Sequence, residues 1–332
     1  MSAESKVDAS LESIRTELAR NPASTTTLNL IVWIDDPKRR DWIVERATML
    51  AEKHPSFTLI LDNTGECGEA ATVTTRARAG GGTLSASQGE RVELDVSCYD
   101  APKVAEYVET LSRSGVPTLL WWSGMKVGSR PVFDALLPHA DTLLVDSAGS
   151  VTDERGLRSL VGFRRDHPEI VLRDLAWLRL RPWLDMIANF FDDRQSTREA
   201  FTIRRLTIAS GSAAEALYLA AWLASSLNWK AAGPDTFSDM DGNRVTFSRE
   251  ERGEIRRVQR VCVETETTSY CAEVTDNPQV VRVASEGANA LEPRLYPLRA
   301  LDNASLLERA VLEPGRDTLY ETTLATVGTL LG

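Results

Sequence analysis

TLNLIVWI (residues 27–34) and FTLILDN (residues 57–63) flank a segment, 37–52, in which Trp42, Ile43, Ala47, Met49 and Leu50 recur at helical spacing. Continuous apolar runs rich in β-formers suit strands buried on both faces of a parallel sheet, since alternation is needed only where one face meets water. The rhythm continues downstream. A helix is predicted over 102–113, the strand VPTLLWW at 116–122, a short helix over 131–138, the strand DTLLVDS at 141–147 and a helix over 153–166. Strand, helix, strand at short intervals predicts an α/β fold: an open, mostly parallel sheet with helices on both faces, Rossmann/flavodoxin-like. Two more extended runs, 69–79 and 90–98, are separated by Gly80-Gly81-Gly82, which reads as a flexible hairpin loop. The first 22 residues read as a capping helix, with Leu11, Ile14 and Leu18 on one face and Asn21-Pro22 ending it.

The run LRLRPWLDMIANFFDD (178–193) reads as a helix introduced by Pro182, and the polar break after it places a boundary at 195. The expected domains are 1–195, α/β, and 196–332, α+β. The second opens with the strand FTIRRLTIA (201–209) and the helix SAAEALYLAAWLASSLNW (212–229), where Ser212 and Glu215 form a capping box. The period then switches to two through NRVTFSR, IRRVQRVCVETE, SYCAEV, QVVRVAS and a piece at 294–298, an antiparallel meander. Helices at 303–313 and 317–330 close the chain.

Composition excludes several function classes. The 332 residues carry a net charge of −10, spread as −6 up to residue 195 and −4 after it, so neither half is a basic module for nucleic acid or anionic lipid. No run of 18 apolar residues offers a membrane span, and no basic-then-apolar leader is present, which points to a cytoplasmic protein. Arg249, Arg252, Arg256, Arg257 and Arg260 are interleaved with Glu250, Glu251 and Glu254 and read as a solvated sheet edge. Cys67, Cys98, Cys262 and Cys271 read as reduced, packed cysteines, with Cys262 and Cys271 placed to meet across a hairpin as the candidate redox pair. His54, His139 and His167 fall near helix C-termini, where the dipole explains them. Metal-binding motifs, a nucleophile elbow and glycine-rich phosphate loops are missing, and no cofactor is expected. Ser210-Gly211-Ser212 lies between a strand and a helix, but its capping box accounts for it.

What stands out is a set of residues at strand ends. Trp121 and Trp122 close one strand, Asp146 and Ser147 the next; Asp174 and Trp177 follow VLRDL, with Arg179, Arg181 and Trp183 just after. Ligands and partners dock at the carboxyl ends of strands in open α/β sheets, and Trp and Arg dominate interface hot spots. Trp121 and Trp122 point to opposite sides of their sheet, so at least one packs under a helix. The pattern is that of a binding surface without a catalytic centre.

The ordered segments TLNLIVWIDD, VPTLLWWSG, DTLLVDSAG, DLAWLRLRPW, EALYLAAWLASSLNW and DTLYETTLA resemble the glucose-6-phosphate dehydrogenase assembly protein family, OpcA, across residues 27–330. The resemblance implies a non-catalytic effector that binds glucose-6-phosphate dehydrogenase and favours its active oligomer in the oxidative pentose phosphate pathway. Ala176 and Leu184 stand where the family pattern has Asn and Arg, so polar contacts made there are not carried over. The alternative reading is an enzyme or binding protein that uses the strand-end crevice for a nucleotide or sugar phosphate, with Asp146 and Asp174 as its acid–base pair.

Overall fold

The computed structural model describes residues 2–20, 26–68, 70–77, 88–124, 127–128, 130–149, 154–192, 194, 196–233, 235–251, 257–298, 303–313 and 315–332. The Gly80-Gly81-Gly82 loop, the Asn21-Pro22 helix stop, Arg252 and Arg256 lie outside the described residues.

The chain runs β1 (Ser2–Asp8), α1 (Leu11–Arg20), β2 (Leu28–Ile34), α2 (Arg40–Lys53), β3 (Ser56–Asp62), β4 (Ala70–Ala77), β5 (Gln88–Asp95), α3 (Ala101–Leu111), β6 (Thr118–Trp122), α4 (Pro131–Leu136), β7 (Thr142–Val145), α5 (Glu154–Asp166) and β8 (Val171–Asp174). Their sheet has the order β1-β4-β5-β3-β2-β6-β7-β8. From β5 to β8 every pairing is parallel; β4 and β1 add an antiparallel edge. Every residue of β2, β3 and β6 is buried, as continuous apolar runs require. Trp121 meets Trp42 of α2 edge-on and Trp122 meets Phe133 of α4, so consecutive residues of one strand pack against helices on opposite faces. The α/β expectation holds.

The N-terminus departs from it. Ser2–Asp8 is a strand paired residue for residue with β4, and only Leu11–Arg20 is helical, burying Ile14 and Leu18. A short polar edge strand has no alternation to announce it.

The chain continues as α6 (Leu175–Ala188), α7 (Ser196–Glu199), β9 (Arg205–Ser210), α8 (Ala213–Ser226), β10 (Lys230–Gly233), β11 (Thr236–Ser238), β12 (Arg244–Glu250), β13 (Val258–Glu264), β14 (Thr268–Val274), β15 (Val280–Gly287), β16 (Leu291–Pro297), α9 (Asn303–Leu312) and α10 (Thr318–Leu331). The second sheet has the order β10-β11-β12-β9-β13-β14-β15-β16. It is antiparallel except between β12 and β9, so the meander proper begins at β13. The nearly all-apolar α8 is buried on one face of this sheet and contacts α10 and α6. Arg249 and Arg260 lie on β12 and β13, which are interior strands; the sheet-edge reading is corrected, and Arg260 is instead paired with Glu250 at 2.7 Å.

Packing divides the chain into two compact units, each discontinuous. The first holds Met1–Asp146, Phe163–Asp174 and Asn303–Gly315; the second holds Ser147–Gly162, Leu175–Asp302 and Arg316–Gly332. This differs from a single cut at 195. Helix α6 begins at Leu175 with Pro182 inside it, and its apolar face packs on α8, so it belongs with the second sheet.

Candidate functional site

In the first unit the parallel strands reverse order between β2 and β6, the place where a doubly wound sheet opens a crevice at its carboxyl ends. The residues there are acidic. Ile34 is followed by Asp35 and Asp36, β3 ends on Asp62, β7 leads into Asp146 and β8 ends on Asp174. The Asp35 side chain is 2% exposed and lies 3.5 Å from Arg130 Nε. Burial pushes its carboxyl above the ordinary range, and the Arg130 cation offsets only part of that. Asp62 accepts from Arg40 Nε at 2.5 Å and from the amide and hydroxyl of Thr64. Arg39 stands 3.8 Å from Asp146. Arginines from the start of α2 are thus spent on the sheet's own carboxylates.

A doubly wound sheet that holds a dinucleotide offers a glycine-rich turn here, so that bare N–H groups at a helix start can meet the pyrophosphate. This chain offers Asp35-Asp36-Pro37. Proline brings no N–H and the carboxylates repel phosphate. No group of three or more His, Cys, Asp or Glu side chains suited to a metal occurs among the described residues.

The strand-end residues are divided between the units: Trp121, Trp122, Asp146 and Asp174 belong to the first, Ser147, Trp177, Arg179, Arg181 and Trp183 to the second. Nearly all are buried. Trp121 and Trp122 are each 1% exposed; Trp122 stacks on Trp33 at 5.5 Å and abuts Phe133. Trp177 donates its indole N–H to Asp317 at 2.8 Å and sits against Tyr218 and Tyr320. Arg181 reaches the same Asp317 oxygen at 2.5 Å, while the other oxygen caps α10 through the Tyr320 amide. Arg179 donates to Glu215 at 3.0 Å with both side chains almost out of water. Of these partner-binding candidates, the large rings fill cores, and the arginines tie α6 to α8 and α10. Arg181 keeps the most solvent contact of the two arginines.

Two smaller expectations change with them. The Ser212 hydroxyl caps α8 by accepting from the Glu215 amide at 3.3 Å, but the Glu215 carboxylate accepts from Arg179 and from the Val258 amide. The Ser212 amide itself donates to Ser210. The four cysteines are bridged, not reduced: Cys262 to Cys271, directly opposite each other on β13 and β14, and Cys67 to Cys98. The histidines do sit at helix ends: His54 caps α2, and His167 stacks on Phe163 just after α5.

The sequence reading missed Asp35, Asp317 and Glu199. Asp35 had a signal, as the first residue past a fully apolar strand. Glu199, at the end of α7, accepts from the hydroxyls of Thr265, Thr267, Thr268 and Tyr270 and from the Asn289 amide. Burial raises its carboxyl, but these donors outweigh burial and hold it below the ordinary range. Nothing local to Glu199 forecasts partners 66 to 90 residues away.

Known proteins place the chain. Residues 47–161 match the family described as glucose-6-phosphate dehydrogenase subunit N-terminal domain, and residues 170–324 match its C-terminal domain. The OxPP cycle protein OpcA of Synechocystis is 26% identical over 256 residues, covering 69% of this chain and 53% of that protein. Its namesake in Nostoc punctiforme is 26% identical over 169 residues, 50% of this chain and 36% of that one. The chain thus spans about half the length, or less, of these curated relatives. Among solved structures, KijD10, a 3-ketoreductase from Actinomadura kijaniata in complex with NADP and TDP-benzene, matches with a TM-score of 0.52 at 13% identity, over 92% of this chain and 96% of that one. That likeness is one of fold alone. With both halves matched in order, the chain belongs to the glucose-6-phosphate dehydrogenase subunit (OpcA) family.

Proposed function

We propose that this chain binds glucose-6-phosphate dehydrogenase in the cytoplasm and raises its activity by favouring the competent oligomer, contributing no chemistry of its own. The observation that carries the reading is that both halves of the chain fall in a family described as a subunit of that enzyme. The strand-end chemistry supports it. Asp35 and Asp36, with Pro37, occupy the turn where a nucleotide-dependent relative of this fold would present backbone N–H groups to phosphate.

The effect follows from differential binding. A partner that binds the competent oligomer more tightly than the inactive enzyme shifts the population by that difference alone, and moving a state from 1% to 99% takes about 5.5 kcal/mol. Exposed apolar side chains are available for such contacts, among them Phe201 in the second unit and Leu312 in the first.

The test is dehydrogenase activity of the cognate enzyme with and without this chain across glucose-6-phosphate concentrations, with sedimentation of the mixture alongside. Lower apparent KM or higher kcat together with a larger enzyme species is expected. Unchanged kinetics and unchanged sedimentation reject the proposal. A crevice ligand would instead show as stabilisation of the isolated chain by NADP or glucose 6-phosphate.

A further inference from the structure

In the second unit, α8 covers one face of the eight-stranded sheet, where Leu206, Ile208, Val261 and Tyr270 are buried. The period of two sends the alternate residues of the same strands to the other face. Those residues are exposed or half-exposed for the most part: the Arg205 side chain is 58% exposed, Arg282, Glu286 and Leu295 are open, and Glu264 and Glu250 are 42% and 41% exposed.

The strand register arranges this face in three rows. The middle row is neutral and small: Ser248, Thr207, Cys262, Cys271 and Ala284 lie side by side from β12 to β15. One flanking row places Arg205 on β9, Glu264 on β13, Ser269 on β14 and Glu286 on β15. The other places Glu250 on β12, Arg260 on β13, Glu273 on β14 and Arg282 on β15.

We propose that this sheet face is the interface of a homodimer, with the two-fold axis parallel to the strands and passing over the Cys262–Cys271 pair. Such an axis sets β13 of one copy over β14 of the other and β9 over β15. Arg260, paired with Glu250 in its own chain, then also faces Glu273 of the second copy; Arg205, 3.6 Å from Glu264 in its own chain, also faces Glu286; each match occurs twice because the interface is isologous. The neutral middle row lies on itself, which lets the sheets approach to the usual spacing of about 10 Å. Charge supports a second copy as the occupant. Two copies of a chain with net charge −10 repel each other, yet the two flanking rows carry three arginines against four glutamates and so are almost locally neutral.

Sedimentation velocity over a concentration series tests the proposal, independently of the dehydrogenase reading. The probe pair is Arg205→Glu and Glu286→Arg. Within one chain these residues are three strand spacings apart, about 14 Å, so they do not pair with each other directly. The wild-type chain is expected to sediment as a dimer. Each single reversal should raise the dimer dissociation constant by about tenfold or more, and the double reversal should restore it. Circular dichroism and melting of each variant confirm an intact fold. A monomeric wild type at tens of micromolar overturns the proposal, as does a dimer indifferent to the single reversals, or a double reversal that fails to rescue. Protection of this face by the cognate dehydrogenase, with the wild type monomeric alone, also overturns it in favour of a different occupant.

Discussion

Asp35 is the residue at which this fold departs most plainly from a nucleotide-binding one, and its cost is measurable. Its folded-state pKa lies above its unfolded value, so folding takes up a proton between the two, and stability falls as pH rises through that window. Asp35→Asn is therefore expected to melt higher than wild type at pH 7, by about 2 °C, with the difference gone below about pH 4. Calorimetry at both pH values checks this. The Arg179–Glu215 pair behaves in the opposite sense. Glu215→Ala removes the carboxylate that both Arg179 and the Val258 amide use and should cost about 3–5 kcal/mol, whereas Arg179→Met with Glu215→Leu removes both charges and should cost less. Denaturant unfolding of the two variants separates the cases. At this scale the sequence is half legible. That Trp121 and Trp122 face opposite ways follows from the period of a strand. That Trp177 ends on Asp317 does not, because its neighbour comes from 140 residues away.

Elements whose signal is internal were readable. β2, β3 and β6 are announced by unbroken apolar runs, and β13, β14 and β15 by alternation. Elements defined by what they pack against were not. β1 is polar and owes its extended form to β4; α6 starts seven residues before the proline that the sequence offers as its first turn. The β13–β14 hairpin adds a covalent tie. Peptide mapping without reductant is expected to find Cys262 joined to Cys271 and Cys67 to Cys98, and Cys262→Ala with Cys271→Ala should lose at most about 2–3 kcal/mol, the chain-entropy value for so short a loop. Recovery of all four as free thiols contradicts the structure. The loop of this hairpin, with Thr265, Thr267 and Thr268, is also where Glu199 docks. Its depressed pKa supplies stability that is present above the ordinary glutamate pKa and lost as pH falls. Glu199→Gln should thus be less stable at neutral pH and show a flatter acid limb in unfolding between about pH 6 and pH 3.

At the scale of the whole molecule, the acidic chain folds into two compact units, each built on an eight-stranded sheet. The interleaving of the two units constrains every experiment on parts. A fragment ending at 174 lacks α9, whose Leu306, Leu307 and Ala310 are buried in the first unit and whose Glu308 pairs with Lys53 of α2. Such a fragment is expected to exchange the amides of α2 faster than the full chain does, as read by hydrogen-exchange mass spectrometry. Synthesis meets the same constraint in time. The ribosome finishes β8 and then makes most of the second unit before α9 emerges, an interval of roughly 7–28 s at 5–20 residues per second. During that interval the first sheet waits with the seat of α9 uncovered, so the N-terminal half, although made first, is among the last parts to close, and the nascent chain presents its apolar α2 face to chaperones for most of its translation.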